Sequence, residues 1–331
     1  MEHIRLGMSG LKVSRLCLGT MTFGLQCDEP TSVAIMDKAA DAGISFFDTA
    51  DAYPLGGDQD ARGRTEEIIG RWLKGRRDDY IIATKCFVPM GARPFQAGNS
   101  RRHIMNAVEA SLRRLGTDYI DLYQLHGHDP TTPVDETLEA LNSLVNAGKV
   151  RYVGCSNHLA YQVARAIGRS EARDLIKYVS VQPRYNLLFR EIERELIPLC
   201  VEEGIGVIPY NPIAGGLLSG KHDRSKAPPE GTRFGAQNYA GSMYRQRYWQ
   251  DHLFDTVEAL AGIAAEAGLQ LPTLAVAWTL AQPGITSPII GASRPDQLDA
   301  TIGALDVTLD PDVLKRLDEM TREFRRGDSA R

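Results

Sequence analysis

Four side chains that can hold or transfer a proton stand at the ends of apolar segments. Lys85 closes the run "YIIATK", and Asp48 follows "SFF". His126 ends "DLYQLH", and Tyr53 lies five residues beyond Asp48. A lysine in an apolar run is unfavourable, because burial of an ammonium without a partner disfavours its charged form. A carboxylate beside it, such as Asp48, would oppose this effect and keep the lysine charged.

A tyrosine next to this lysine is a candidate general acid. Tyrosine titrates near 10, and a cation about 4 Å away favours the phenolate by about 4 kcal/mol at an effective dielectric of about 20, or roughly three pKa units. We therefore expect Lys85 to bring the Tyr53 phenol close to working pH. His126 would orient or polarise a carbonyl oxygen from the opposite side. Alternatively, Asp48 and Lys85 form a structural ion pair, Tyr53 is a loop aromatic and His126 is a strand-end histidine. The occurrence of all four at successive strand ends favours an active site.

Short β-rich runs alternate with amphipathic patterns along the whole chain. We predict eight strands that end near Thr20, Asp48, Lys85, His126, Asn157, Gln182, Tyr210 and Ser293. Helical patterns cover 31–42, 65–75, 100–115, 134–147, 159–169, 190–203, 252–268, 272–281 and 295–304. Apolar strands joined through helices are typical of a parallel sheet. Eight such units predict a single α/β domain over residues 1–331, a (β/α)8 TIM barrel with its site at the C-terminal strand ends.

Two features decorate the predicted barrel. The opening "IRLGMSGLKVSRL" predicts an N-terminal β-hairpin that closes the bottom of the barrel. Residues 213–250 form a long loop after the seventh strand, without strong periodicity, and loops of this length are usually functional. A doubly wound sheet is the rival fold, but no G-x-G-x-x-G follows the first strand. The final "FRRGDSAR" is expected to fray.

Composition argues against several partners. The 331 residues carry a net charge of -4 with Lys and Arg spread along the chain, so there is no basic footprint for nucleic acid. The N-terminus lacks the apolar core of a secretory signal, and no stretch approaches the roughly 18 apolar residues of a membrane helix. Five separated cysteines without a CxxC spacing indicate reduced thiols and a cytoplasmic location. The sequence allows a homo-oligomer without specifying one.

Six motifs carry a resemblance to a known family. They are "FFDTADAY", "IIATK", "DLYQLH", "VGCSN", "VQPRYNLL" and "YNPIAGGLLSGK". In order and spacing they resemble the aldo-keto reductases over nearly the whole chain. Within that family the long "GGLLSGK" loop is similar to that of aryl-alcohol-dehydrogenase-like and sugar-aldehyde reductases and of potassium-channel beta subunits.

The resemblance implies an NADPH-dependent oxidoreductase that reduces aldehydes or ketones to alcohols by direct hydride transfer. It implies that Tyr53 is the proton donor and that Lys85 and Asp48 tune it. His126 would orient the carbonyl of a small-molecule substrate. These roles fall on residues that the positions at strand ends had already selected.

The resemblance also implies a site for NADPH (NADP+). The nicotinamide carboxamide would contact Ser156, Asn157 and Gln182, with Tyr210 stacked on the ring; "GCSN" by itself equally suits a turn in which Asn157 caps a helix. The glycines of "IAGGLLSGK" would let the backbone approach a pyrophosphate. Ser293 and Arg294 would hold the 2'-phosphate, before a helix predicted to begin at Pro295. The predicted cofactor residues are Gly19, Thr20, Met21, Asp48, Ser156, Asn157, Gln182, Tyr210, Asn211, Pro212, Ile213, Ala214, Gly216, Lys221, Arg233, Gly291, Ser293, Arg294 and Gln297. Thr301 stands where the family has an asparagine that contacts adenine.

Aromatic side chains are the candidates for substrate selection and favour an apolar or aromatic aldehyde. They are Phe23, Tyr53, Phe87, His128, Tyr239, Tyr244 and Trp249. The arginines Arg224, Arg245 and Arg247 suit either an anionic sugar or a solvated face.

Three other functions compete with carbonyl reduction. A metal-dependent hydrolase would use His126, His128 and His158 as ligands, although we predict no metal site. An aldolase would use Lys85 as a Schiff-base nucleophile and would need its amine unprotonated. An NADPH-binding, redox-sensing regulatory protein with slow turnover is the third, and the channel-associated relatives suggest it.

Overall fold

Eight parallel strands form one sheet in the computed structural model, which describes residues 1–326. Residues 327–331, the end of the segment expected to fray, lie outside the described residues, and the assignment of 1–331 to one domain stays a prediction. An antiparallel hairpin, β1 (His3–Arg5) and β2 (Lys12–Ser14), precedes the sheet. The barrel strands are β3 (Cys17–Gly19), β4 (Phe46–Asp48), β5 (Ile81–Cys86), β6 (Ile120–Leu125), β7 (Val150–Ser156), β8 (Ser180–Gln182), β9 (Gly206–Val207) and β10 (Ile289–Ile290).

The sheet closes on itself. Strands β3 to β9 pair in chain order, and β10 pairs with β3. On the other side of β10, the amide of Thr286 donates to the Val207 carbonyl and that of Ile289 donates to the Pro209 carbonyl, each at 2.8 Å. Pro209 has no N–H to donate, which fits the shortness of β9. The predicted (β/α)8 barrel with an N-terminal hairpin is confirmed.

The hydrophobic periodicity predicts nine of the helices, although two of these are shorter than predicted. One of the two is 295–304, which is α-helical only over Leu298–Ile302, after a 3-10 turn at Pro295–Gln297. The α-helices of residues 1–326 alternate with the strands. They are α1 (Glu29–Asp41), α2 (Arg64–Trp72), α3 (Arg101–Leu115), α4 (Val134–Asn146), α5 (Ala160–Arg173), α6 (Leu196–Glu202), α7 (Tyr239–Tyr248), α8 (Asp251–Glu266), α9 (Leu271–Ala281), α10 (Leu298–Ile302) and α11 (Pro311–Thr321). The predicted helix 190–203 is α-helical only as α6, after a 3-10 turn at Glu191–Glu193. Pro198 explains the late start, because proline is tolerated in the first turn of a helix and not in its interior.

Two helices were missed by the sequence prediction. Helix α7 lies inside the 213–250 loop, where the apolar residues follow no clear 3.6-residue repeat. It buries Tyr244 and Tyr248, whose rings stack four residues apart, so tertiary packing rather than periodicity stabilises it. Helix α11 carried a readable signal, since Asp310 caps its N-terminus and Pro311 occupies its first turn.

The hairpin plugs the bottom of the barrel. Leu6, just after β1, and Val13 in β2 are fully buried, and they belong to the apolar cluster that fills the barrel. The other residues of that cluster are Cys17, Phe46, Ala83, Leu122 and Ile289 in the barrel strands and Ile208 directly after β9. Gly7 makes the close approach possible: it has φ 58°, and a Cβ there would lie 2.2 Å from the carbonyl oxygen of Gly204.

Among residues 1–326 no single helix is both long and apolar enough to cross a membrane. Helices α8 and α9 satisfy the criterion only when taken together, and they are bent by 89° relative to each other. Most of α9 is buried against the rest of the protein, which accounts for its apolar composition.

The hairpin plug predicts a position-specific loss of stability. Leu6→Ala should lower the free energy of unfolding by about 2–5 kcal/mol, because it leaves a cavity in the sealed bottom of the barrel. Met8→Ala, in the same hairpin, removes a side chain that is 79% exposed and should change it by no more than about 0.5 kcal/mol. Urea unfolding followed by circular dichroism measures both; equal effects would show that the hairpin does not seal the barrel.

Candidate active site

A buried ion pair lies at the centre of the barrel mouth. Lys85 Nζ is fully buried and donates hydrogen bonds to Asp48 Oδ1 at 2.5 Å and to the Thr49 carbonyl at 2.7 Å. The strand register produces this pairing: Asp48 lies opposite Ala83, and Lys85 is two residues further on, so its side chain lies on the same face. Burial opposes the charge on Lys85, but Asp48 and Tyr53 outweigh that effect and the pKa of Lys85 is raised.

Two glutamine amides hold the other oxygen of this carboxylate. Gln124 Nε2 donates to Asp48 Oδ2 at 3.1 Å and Gln182 Nε2 donates to it at 2.8 Å. The sequence analysis missed Gln124, although it lies in the predicted strand two residues before His126, a spacing that places two side chains on the same face of an extended chain. With both oxygens bonded, Asp48 meets the requirement for a buried charge, namely that it be paired and hydrogen-bonded.

Tyr53 lies against this pair with its hydroxyl oxygen 3.5 Å from Lys85 Nζ. The expectation that Lys85 would bring its pKa close to working pH is wrong for the resting site. Burial raises the pKa of Tyr53, Lys85 lowers it by less, and the Asp48 carboxylate raises it further. The sequence estimate counted the attraction of the cation but neither the desolvation of the phenol nor the opposing carboxylate. The resting phenol therefore keeps its proton.

His126 follows the end of β6 and lies beside the tyrosine. The two rings meet edge to face, with centroids 5.7 Å apart. Burial, with a further contribution from Lys85, lowers the pKa of His126 to about 3. Its Nδ1 is buried without a hydrogen-bond partner in the described part of the chain. A neutral ring with its proton on Nε2 avoids a stranded N–H at Nδ1 and leaves a donor for a ligand oxygen.

These groups share one cavity at the barrel mouth with most of the predicted cofactor residues. The predicted residues that line it are Gly19, Thr20, Met21, Asp48, Tyr53, His126, Ser156, Asn157, Gln182, Tyr210, Asn211, Pro212, Ile213, Arg233 and Gly291. Ala214, Gly216, Lys221, Ser293, Arg294 and Gln297 do not line it, and Lys85 is fully buried beneath it. Additional lining residues are Leu55, Met243, Tyr244, Arg247, Ile289, Ile290 and Thr301. The roles of all these residues stay predictions.

Asn157 ties two of the strand ends together. Its Nδ2 donates to the backbone carbonyl of His126 at 2.9 Å, and its Oδ1 accepts from the Tyr210 hydroxyl at 2.8 Å. Asn157 has φ 56°, a left-handed conformation that asparagine tolerates better than most residues. It does not cap α5, whose preceding residue is Leu159. The Tyr210 ring is thus held at the cavity edge, as a stacking role requires.

The segment after β9 has the features of an anion-binding loop. Gly216 has φ 111°, and a Cβ there would meet only His222, at 3.7 Å, so its backbone is open to a ligand. Asn211 Nδ2 is a buried donor without a partner among the described residues, and Asn211 lines the cavity. The hydrogen bond from Arg294 lowers the pKa of Asp296, and Lys221 is close enough to lower that pKa further. The donors and basic groups present here fit the phosphates of a dinucleotide.

The side chains predicted to select the substrate are dispersed, apart from Tyr53 and Tyr244. Phe23 is buried in the outer core, and Phe87 packs beside Gly127 outside the cavity. Tyr239 is 77% exposed on the solvent face of α7, and Trp249 packs against Phe234. Two of the candidates named from the sequence, Tyr244 and Arg247, do line the cavity, and both come from α7, a helix that periodicity did not predict.

The histidines behind the hydrolase hypothesis are also separated. His126 lines the cavity with Tyr53, whereas His128 and His158 line a second cavity, where their rings meet edge to face with centroids 5.4 Å apart. Within residues 1–326 no three His, Cys, Asp or Glu side chains are arranged to hold a metal ion. The aldolase hypothesis meets a different obstacle, because the raised pKa of Lys85 keeps its amine protonated.

Sequence comparison agrees with the barrel and the site. The Aldo/keto reductase family model matches residues 15–322, and the chain belongs to this family. It is 40% identical to the uncharacterized oxidoreductase YrpG of Bacillus subtilis, over 97% of this chain and 96% of that protein. It is 38% identical to a probable voltage-gated potassium channel subunit beta of Arabidopsis thaliana, with the same coverage. A versiconal hemiacetal acetate reductase of Aspergillus parasiticus is 34% identical, over 96% of each chain. The predicted family membership is confirmed, and the protein is an oxidoreductase of this family.

The buried imidazole gives a test of the site that does not depend on turnover. With a folded-state pKa of about 3, His126 should stay neutral from pH 8 down to pH 5, while an exposed histidine titrates near 6.5. The unfolded chain binds the extra proton below about pH 6.5, so this group lowers the free energy of unfolding progressively as the pH falls from there toward 3. Long-range nitrogen–proton correlation spectra of the imidazoles measure the titration; an imidazolium signal from His126 at pH 6 would contradict it.

Proposed function

We propose that the protein reduces aldehydes or ketones to alcohols with NADPH, as a cytoplasmic enzyme. The observation that carries the proposal is one cavity that has a protonated phenol 3.5 Å from a buried ammonium and a neutral imidazole beside it. A carbonyl oxygen in contact with Tyr53 and His126 would meet two hydrogen-bond donors. The oxidoreductase and reductase names of similar proteins support the same reaction class.

The residues around the cavity suit the parts of NADPH. Ser156, Asn157 and Gln182 supply polar groups for the carboxamide, and Tyr210 supplies a ring face. Asn211 Nδ2, the Gly216 backbone and the basic side chains Lys221, Arg233 and Arg294 would hold the phosphates. When bound, the reduced nicotinamide supplies a hydride to the substrate carbon.

Tyr53 would transfer its proton to the carbonyl oxygen as charge develops there. The resulting phenolate would form 3.5 Å from the Lys85 ammonium, in a site where little solvent screens the attraction. Lys85 therefore stabilises the negative charge of the Tyr53 phenolate as the proton is transferred, rather than making the resting phenol more acidic. Asp48 keeps the lysine charged throughout, and His126 donates to the carbonyl oxygen without changing its own charge.

A slowly turning over, redox-sensing regulatory protein is the second candidate function. The likeness to probable channel beta subunits from Arabidopsis and from Oryza sativa favours it. Steady NADPH oxidation across aromatic, aliphatic and sugar aldehydes separates the two proposals. An enzyme should reach turnover of about 1 per second or more on some member of the panel, the usual lower range for enzymes.

Removal of one hydroxyl tests the proton donor. Tyr53→Phe should lower kcat by about 10²–10⁴-fold, the contribution usual for general acid catalysis, and leave the NADPH dissociation constant nearly unchanged. Tyr239→Phe, at an exposed tyrosine outside the cavity, is the matched control and should leave kcat unaltered. Kinetics and NADPH fluorescence titration supply the two readouts. Loss of cofactor binding together with turnover would show that the tyrosine is structural.

The choice of NADPH over NADH is tested at the rim of the barrel. Arg294 is exposed, and its salt bridge to Asp296 spans 3.3 Å at the surface. Exposed ion pairs of this kind contribute little, so the guanidinium can exchange Asp296 for a phosphate. Arg294→Ala should lower the ratio of kcat/KM for NADPH to that for NADH by about tenfold, the loss of one charge-assisted contact. Arg316→Ala, in an exposed pair on α11, is the control. An unchanged ratio would remove Arg294 from the 2'-phosphate site.

A further inference from the structure

A groove lies beside the active-site cavity on the side of β8. The linings of the two spaces share Asn157, Tyr210 and Arg247, so these three side chains border both the cavity and the groove. The groove has a volume of about 660 Å³ and is bounded by residues from five parts of the chain. None of the residues assigned above to phosphate binding lies in it.

The groove is strongly basic although the protein is acidic overall. Its arginines are Arg184, Arg194, Arg247, Arg325 and Arg326, and its acidic residues are Glu191 and Glu195. The formal charge of the lining is therefore about +3, from five guanidinium groups and two carboxylates, against a net charge of -4 for the whole chain. Such a local concentration of positive charge attracts anions.

Two of these arginines lack the partner that half-buried guanidinium groups usually have. Arg325 pairs with Glu193 and Arg326 with Glu191. Within residues 1–326, Arg184 and Arg247 form no salt bridge, although both are half-buried. A partly desolvated cation without a counter-charge is unfavourable, and an incoming oxyanion would supply the missing bonds.

Of these two arginines, Arg247 lines the reaction cavity itself and Arg184 lies further out in the groove. The guanidinium carbon of Arg184 lies 3.4 Å from the centroid of the Phe189 ring, a contact that restricts its motion. Burial raises the pKa of Tyr210, and Arg247 and Arg184 both counteract it, so both charges lie within electrostatic reach of that phenol. Tyr210 is also hydrogen-bonded to Asn157, which holds the His126 carbonyl. Tyr210 and Asn157 thus lie between the two arginines and the site where the carbonyl would bind.

We propose that Arg247 and Arg184 bind an oxyanion on the substrate, so that the protein prefers aldehydes or ketones that carry a carboxylate or a phosphate away from the carbonyl. This inference rests on the proposed carbonyl reduction and specifies its substrate class. The carbonyl oxygen would lie with Tyr53 and His126, and the anionic end would point into the groove. Guanidinium groups bind both the planar carboxylate and the tetrahedral phosphate, because each anion presents two oxygens to a pair of N–H donors.

Matched substrates separate charge from size. NADPH oxidation is measured with 4-formylbenzoate against the neutral 4-formylbenzamide, and with glyceraldehyde 3-phosphate against glyceraldehyde. We expect kcat/KM to be about tenfold higher for the anionic member of at least one pair, mainly through KM. The pair that shows it identifies the carboxylate or the phosphate as the preferred anion. The preference should shrink as ionic strength rises from about 0.02 M to about 0.5 M.

Substitutions locate the effect. Arg247→Gln and Arg184→Gln should each lower the ratio of anionic to neutral kcat/KM by about tenfold, the usual loss of one charge-assisted bond. Arg316→Gln, which removes an exposed arginine far from the groove on α11, should leave the ratio unchanged. Circular dichroism confirms that each variant is folded. Equal kcat/KM within both pairs, or a ratio that survives both groove substitutions, overturns the inference.

A binding measurement keeps this inference separate from the proposed reaction. Calorimetric titration of the protein with 4-formylbenzoate, 4-formylbenzamide and inorganic phosphate does not require turnover. If no aldehyde is reduced but an anion binds and Arg247→Gln weakens it about tenfold, the groove is an anion site and carbonyl reduction fails. If aldehydes are reduced without preference and neither anion binds, the reduction stands and the anion site is refuted.

Discussion

The site depends on one constraint: an ammonium and a carboxylate that are both buried must be neutralised by each other. Lys85 and Asp48 meet at 2.5 Å, and the remaining oxygen of Asp48 accepts from Gln124 and Gln182. Removal of one partner from such a pair typically costs about 3–5 kcal/mol, because the other is left as an uncompensated charge. The pair therefore fixes the side chains of four strands, β4, β5, β6 and β8, at the barrel mouth.

The fold supplies the geometry that this pair needs. Parallel strands end at the same rim, so polar residues far apart in sequence come together there. The hairpin seals the opposite end with Leu6 and Val13, which lets the interior remain apolar beneath the charges. In that environment the phenol of Tyr53 keeps its proton and the imidazole of His126 stays neutral. Both groups are hydrogen-bond donors at rest, as binding of a carbonyl oxygen requires.

Charge is distributed unevenly around the cavity. Lys221 and Arg294 lie on the side of the loop after β9 and of β10, where the backbone at Gly216 is open to a phosphate. Arg184 lies on the side of β8, beyond Tyr210, and Arg247 from α7 reaches the cavity between the two sides. The two basic regions would give a dinucleotide and an anionic substrate separate places to bind. Helix α7, within the long loop after β9, carries Arg247, which borders both the cavity and the groove.

The sequence by itself determined the barrel and the hairpin and singled out the four central residues, because strand alternation and polar strand ends are local patterns. The family followed from the resemblance of its motifs. The sequence also pointed to Tyr210 and Asn157 through motifs. Only the tertiary structure decided which residues meet. Gln124 donates to the Asp48 carboxylate and Arg247 lines the cavity, whereas Phe23 and His128 lie outside it. The tertiary structure also reversed the expected pKa shift of Tyr53, since desolvation depends on every atom packed around the phenol. Burial and charge pairing are sums over neighbours from distant parts of the chain, and no local pattern contains them.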